Sequence, residues 1–109
     1  MKTILSMTVF AGVALLATTE PGFADDPVAS PVRARAARAA GLIKPLDILL
    51  QTVESHYEGQ VIEAELRETN GHWSYEFEVL PDDGRLFRVY LDATTGVVVT
   101  TRGPVRVKP

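Results

Sequence analysis

The spacing of apolar residues changes from helical to strand-like in the second half of the chain. Five apolar residues recur at steps of three and four: Leu46, Leu49, Leu50, Val53 and Tyr57. This spacing is typical of a helix with a single apolar stripe. Pro45 suits the first helical turn and Gly59 suits the stop, so the pattern predicts one amphipathic helix between them.

The three segments that follow alternate apolar and polar residues. Their apolar residues are Ile62, Ala64 and Leu66, then Trp73, Tyr75, Phe77 and Val79, then Phe87, Val89 and Leu91. Such alternation indicates an antiparallel sheet with one buried face, and a fourth strand is predicted over Val97 to Thr101. We therefore predict an α+β fold, in which one N-terminal helix packs on a four-stranded antiparallel meander, with Trp73, Phe77, Val89 and Leu50 at its centre.

Turn residues set the expected register of the strands. Asn70-Gly71 favours a two-residue type I′ hairpin, which would pair Leu66 with Tyr75, Ala64 with Phe77 and Ile62 with Val79. Asp82-Asp83-Gly84 favours a three-residue loop, which would pair Phe77 with Val89 and Val79 with Phe87. Both turns keep the apolar residues on one face, as a folded sheet requires.

The first 24 residues have the features of an export signal. Lys2 precedes an apolar run from Ile4 to Ala17, and Gly22-Phe23-Ala24 offers small residues for signal peptidase. We expect cleavage after Ala24 and a periplasmic or secreted product. An uncleaved membrane anchor is the alternative, although the apolar run is short for a membrane span.

The remaining chain is expected to divide into three parts. Residues 25–43 form a Pro/Ala/Arg-rich tether, solvated and partly helical, or alternatively a basic arm that contacts anionic lipid. Residues 44–102 form the domain. Residues 103–109 form a ragged tail that contains Pro104 and Pro109.

Composition removes several classes of function. The chain has no cysteine, so thiol chemistry, thiolate metal sites and a lipoprotein anchor are excluded. Its net charge of −3 argues against nucleic acid as a partner. No second apolar run follows the signal, so we expect no stable membrane insertion after cleavage.

The segment 44–102 resembles the PepSY domain, a small secreted module of bacterial peptidase propeptides. The resemblance lies in four stretches: Gly59 to Leu66, Trp73 to Val79, Asp83-Gly84-Arg85 and Val89 to Val98. It implies a stand-alone exported protein that binds a protein partner, either inhibiting a peptidase or modulating an envelope protein such as a membrane sensor. The family has no catalytic signature, so the resemblance implies no catalytic residue.

The predicted register also places a group of polar residues together on the outer face of the sheet. These candidate partner-binding residues are Glu63, Glu65, Glu76, Glu78, Arg88 and Tyr90. Glu65 opposite Glu76 and Glu63 opposite Glu78 would be strained like-charge pairs, which Arg88 and Arg67 could relieve. Tyr90 is expected to be the exposed aromatic anchor. The alternative is a solvated face with ordinary surface ion pairs.

The sequence contains little that indicates a catalytic or metal-binding site. Ser55 and His56 are neighbours, but a nucleophile and its base meet through the fold rather than by adjacency. His56 and His72 lack the spacing of paired metal ligands. We therefore expect no enzyme activity, no cofactor and no metal site. The alternative function is a periplasmic binder or buffer of metal ions or cationic peptides through the acidic face, and edge strands could form a weak homodimer.

Overall fold

The computed structural model describes residues 28–109. Its elements are helices α1 (Pro31–Ala39) and α2 (Leu46–His56), followed by strands β1 (Gln60–Thr69), β2 (His72–Leu80), β3 (Phe87–Asp92) and β4 (Val98–Arg102). The strands form one sheet in the order β1-β2-β3-β4, and all neighbours are antiparallel. The predicted α+β meander is therefore confirmed, with a second helix added before it.

Within residues 28–109, no helix combines the length and the apolar character needed to cross a membrane. The predicted signal peptide and its cleavage site after Ala24 lie outside the described residues.

Helix α2 covers the inner face of the sheet with part of its apolar stripe. Leu49 and Val53 are fully buried, whereas Leu50 is only partly buried and packs against the margin of the core. Leu50 is therefore less central than predicted, and Leu49 takes its place. The helix begins one residue later than expected, because Pro45 occupies the N-cap position.

The inner face of the sheet follows the predicted alternation closely. Its buried residues are Leu66, Trp73, Tyr75, Phe77, Val79, Phe87, Val89 and Leu91. Both predicted registers hold except at Ile62, with Leu66 opposite Tyr75 and Phe77 opposite Val89. Asn70 and Gly71 have φ values of 52° and 81°, as a type I′ turn requires.

The second hairpin is looser than predicted. Its strand pairing stops at Val79 opposite Phe87, so the connecting loop is longer than three residues. Gly84 has a φ of 79° in this loop, and its amide donates to the carbonyl of Pro81 at 3.0 Å. The register is still the one that the turn residues indicated, because the loop remains centred on the same residues.

Strand β1 differs from prediction at Ile62. A β-bulge lies between Val61 and Glu63, so Val61 rather than Ile62 pairs with Val79. Ile62 is the extra residue of the bulge, and its side chain is 49% exposed rather than inward. Bulges are common on edge strands, where they bend the strand and disrupt the free ladder.

The segment predicted to be a solvated tether, residues 25–43, packs against the sheet in the part that the structure describes. Ala37 of α1 is 2% exposed, and Arg33 lies 5.7 Å from the Trp73 ring centroid and pairs with Glu68. The amide of Ala29 donates to the carbonyl of Leu66 at 2.7 Å. The small alanine side chains, which suggested weak packing, instead let α1 lie close to Trp73.

The C-terminal residues also differ from the ragged tail that was expected. Tyr57 forms an isolated bridge with Val107, and the amide of Glu58 donates to the carbonyl of Arg106 at 2.8 Å. Arg106 lies 3.0 Å from both Glu58 and Asp83. Since Pro104 and Pro109 both lie outside this pairing, neither removes an amide that it uses.

Candidate functional site: the outer face of the sheet

We use "outer face" for the side of the sheet opposite the helices. Its charged and aromatic residues include Glu63, Glu65 and Arg67 on β1, Glu76 and Glu78 on β2, Arg88 and Tyr90 on β3, and Arg102 on β4. The predicted juxtapositions are present: Glu63 lies opposite Glu78, and Glu65 opposite Glu76. Strand alternation therefore brings all the sequence-predicted site residues to one face.

Arginines neutralise most of the like-charge strain on this face. Arg67 Nη2 lies 2.5 Å from Glu65 Oε1, and Arg67 Nε lies 3.3 Å from Glu76 Oε1. Arg88 bridges two acids of β2. Its Nε lies 3.0 Å from a carboxylate oxygen of Glu76, and its Nη2 lies 3.0 Å from a carboxylate oxygen of Glu78. The side chains of Arg67 and Glu76 are only 11% and 12% exposed. The centre of the face is consequently a packed ion-pair network, whereas Glu63 and Arg88 are exposed at the surface.

Tyr90 occupies a different position from the one expected. It is 1% exposed, so it cannot serve as an exposed aromatic anchor. It lies between Glu76 and Thr100 on the neighbouring strands, and the Arg102 guanidinium lies 5.6 Å from its ring centroid. Burial, followed by the negative charge of Glu76, raises the pKa of the Tyr90 hydroxyl. The buried Tyr90 ring therefore packs beneath the charged side chains of the outer face.

Arg102 is a member of the outer face that the sequence reasoning missed. The last strand was predicted to end at Thr101, but it extends through Arg102, which lies opposite Arg88. Alternation from Thr100 would have placed Arg102 on this face had the strand been drawn one residue longer.

Glu63 is the most electrostatically strained acid of the group. It lies on the exposed margin of the face, and the charge of Glu65 is the main cause that raises the pKa of its carboxyl. Desolvation and its contacts with Glu65 and Glu78 act in the same direction. The charge of the face is also uneven: Glu63, Glu65, Glu76 and Glu78 lie on β1 and β2 with Arg67 among them, whereas Arg88 and Arg102 lie on β3 and β4.

Neither histidine is arranged for catalysis. His56 Nδ1 lies 2.7 Å from the carbonyl oxygen of Thr52, so this nitrogen must carry a proton and donate. It cannot then accept the proton of Ser55, whose Oγ lies 3.2 Å away. His72 is 57% exposed, with Nε2 3.5 Å from Asp92.

The acids do not form an obvious metal centre. Among residues 28–109, no group of three or more histidine, aspartate or glutamate side chains is placed to hold a metal ion. The carboxylates of Glu65, Glu76 and Glu78 are directed instead to Arg67 and Arg88.

Comparison with known proteins identifies the central part of the chain. The PepSY family model, described as "Peptidase propeptide and YPEB domain", matches residues 45–102. The match covers more than half of the 109 residues and runs from the N-cap of α2 to the end of β4. No curated protein and no solved structure matches the chain. Helix α1 and the C-terminal residues fall outside the matched region.

Proposed function

The chain belongs to the PepSY family, and from this premise we propose that it is an exported binding module that inhibits a peptidase or modulates an envelope protein such as a membrane sensor. Domains of this family are peptidase-propeptide-like modules and are generally non-catalytic. The protonated Nδ1 of His56 and the arginine-paired acids are compatible with a role in binding rather than in catalysis.

The polarised outer face is the observation that carries this proposal. The inner face is occupied by both helices, with Leu49, Val53 and Ala37 buried in the core. The outer face, in contrast, offers a preorganised set of charges whose side chains are already fixed by one another. Preorganisation lowers the entropy lost on binding, and complementary charge speeds association with the correct partner.

The candidate residues take distinct roles in this proposal. Glu63 and Arg88 are the most exposed and would contact the partner directly. The part-buried acids Glu65, Glu76 and Glu78 would hold the arginines in position and contribute charge. Tyr90 would support the face from beneath.

The proposal includes export and cleavage after Ala24, followed by action in the periplasm or outside the cell. The support is the apolar run and the small residues before Asp25. N-terminal sequencing of the product from a periplasmic fraction should begin at Asp25. Retention of Met1 in a membrane fraction would contradict this part of the proposal.

A quantitative pull-down from envelope extract tests the partner and the surface together. The bait is the chain from Asp25, compared with Glu63→Lys on the outer face and Glu54→Lys on the exposed side of α2 as a matched control. We expect a peptidase or a membrane sensor to be enriched by the unmodified chain and the control, and depleted with Glu63→Lys. Activity of the purified peptidase, or signalling by the sensor, then shows which process the module affects.

A second variant shows whether another surface is responsible. Arg35 and Arg38 are exposed on α1, and Arg35→Glu with Arg38→Glu reverses the charge there. Partner capture that survives Glu63→Lys but disappears with this double variant would place the binding surface on α1 and contradict the proposal.

A further inference from the structure

The basic end of the outer face contains two arginines in direct opposition. Arg88 of β3 lies opposite Arg102 of β4 in the strand pairing. Like charges directly across a ladder are unfavourable unless other groups compensate them. Arg88 has two such groups, Glu76 and Glu78. Arg102 forms no ion pair within residues 28–109, and its guanidinium rests instead on the Tyr90 ring.

A small notch lies beside these arginines. It has a volume of about 190 Å³ and is lined by Glu78, Leu86, Phe87, Arg88, Arg102 and Gly103. Leu86 is 43% exposed and gives the notch an apolar wall. Arg88 uses Nε and Nη2 for its two carboxylates, so its Nη1 edge is available for a further acceptor.

We propose that this notch is a recognition site for a carboxylate side chain, glutamate in particular, carried by the protein partner. A carboxylate would compensate Arg102 and relieve its opposition to Arg88. Charge-assisted hydrogen bonds to guanidinium groups are the strong class of polar contact. The apolar wall of Leu86 suits the methylene groups of a glutamate. This inference rests on the proposed function, since it assigns part of the partner's chemistry.

The uneven charge of the outer face also predicts how acidic and basic side chains are arranged on the partner. Glu63 and Arg102 lie on the two edge strands, three strand spacings apart, which corresponds to about 14 Å. A partner segment that crosses the strands would therefore present its glutamate over Arg102 and a basic side chain about 14 Å away, over Glu63. A wholly cationic segment would satisfy only the acidic half of the face.

An NMR titration tests the notch without knowledge of the partner. The probe is a blocked pentapeptide with one glutamate among alanines, and the control peptide has glutamine in its place. We expect the glutamate peptide to shift the Arg102 and Arg88 guanidinium signals in a saturable way at constant ionic strength, and the glutamine peptide to have little effect. Arg102→Gln should weaken binding of the glutamate peptide about three- to tenfold.

Matched controls make the result specific. Arg85→Gln changes another exposed arginine, in the loop before β3, and should leave the titration unchanged. Equal loss with both variants would mean general charge attraction and would overturn the proposal. So would binding of inorganic phosphate but not of the glutamate peptide, because that would identify a different ligand class.

The test also separates this inference from the proposed function. If the pull-down partner is lost with Glu63→Lys but retained fully with Arg102→Gln, the outer face still binds a partner and the notch assignment is wrong. If no partner is captured by any form while the glutamate peptide binds as expected, the notch stands and the proposed function fails.

Discussion

The two faces of this sheet are buried by different means. The inner face is apolar and is closed by two helices, so that Phe77 and Val89 have no exposed surface. Within residues 28–109 no helix lies on the outer face, yet Tyr90 is almost as deeply buried there, beneath Arg102 and beside Glu76. Charged side chains with long apolar stems therefore cover the outer face, as helices cover the inner face.

This difference bears directly on function. The inner face is unlike a docking surface, because a partner could reach it only if the helices moved away and the hydrophobic core were disrupted. A face closed by ion pairs keeps its charged groups at the surface while their positions are fixed. The comparison predicts that inner-face changes affect folding first, whereas changes to the exposed charges of the outer face affect binding with little effect on folding.

The largest expected effect is that of Phe77→Ala. Phe77 is fully buried at the centre of the inner face, so truncation should lower the free energy of unfolding by about 3–5 kcal/mol. That loss is a large share of the stability of a small domain. Urea denaturation measures it, and a loss below about 1 kcal/mol would show that the inner face is not the core.

Tyr90→Ala should have the next largest effect, and its primary effect should be on stability. Removal of the buried ring should cost about 2–4 kcal/mol, slightly less than for Phe77 because charged side chains rather than helices cover it. Tyr90→Phe, which keeps the ring, should cost much less. If Tyr90→Ala leaves the midpoint of urea unfolding unchanged, the ring does not support the outer face.

Glu76→Gln should lower stability by about 1–3 kcal/mol, because it removes the negative charge from a part-buried carboxylate that contacts both Arg67 and Arg88. Glu54→Gln, at an exposed site on α2, is the control and should change stability by less than about 0.5 kcal/mol. Thermal melts compare the two. Equal melting temperatures would mean that the ion pairs are no stronger than ordinary surface contacts.

The smallest expected effect concerns pH and Glu63. Because its pKa is raised in the folded protein, the folded state binds this proton more tightly than the unfolded state does. Protonated Glu63 therefore contributes favourably to the free energy of unfolding. This contribution is complete at low pH and is lost as the pH rises through the pKa of Glu63 in the folded protein. Glu63→Gln should be equally or slightly more stable than the unmodified chain at pH 7, with a smaller difference near pH 4. A variant that is less stable at pH 7 would contradict the assigned strain.

The sequence predicted the sheet better than its edges and ends. Alternation and the Asn70-Gly71 turn fixed which residues face the core, because both depend on local spacing. The bulge at Ile62 could not be predicted from local spacing, because it depends on how β1 pairs with β2 at the end of the hairpin farthest from the turn. The docking of α1 on Trp73 was missed because alanines offer little apolar area and packing with them depends on shape.

The sequence placed the candidate residues on the correct side of the sheet, but it did not predict how deeply each one is buried. Glu63, Glu65, Glu76, Glu78 and Arg88 lie on one face as expected, because alternation determines the side on which each residue lies. Their exposure depends on how the side chains cover one another, which a pattern of polar positions does not contain. For that reason Tyr90 was expected at the surface, and Arg102, which covers it, was omitted.

Site-specific photo-crosslinking would test the role of the outer face most directly. A photoreactive residue at Glu63 samples the outer face, and one at Gln51 samples the exposed side of α2. In envelope extract, the outer-face position should crosslink to one partner protein, and the α2 position should give no product above background. Crosslinking of that partner through residue 51 alone would contradict the account and place the binding surface on the helical side of the domain.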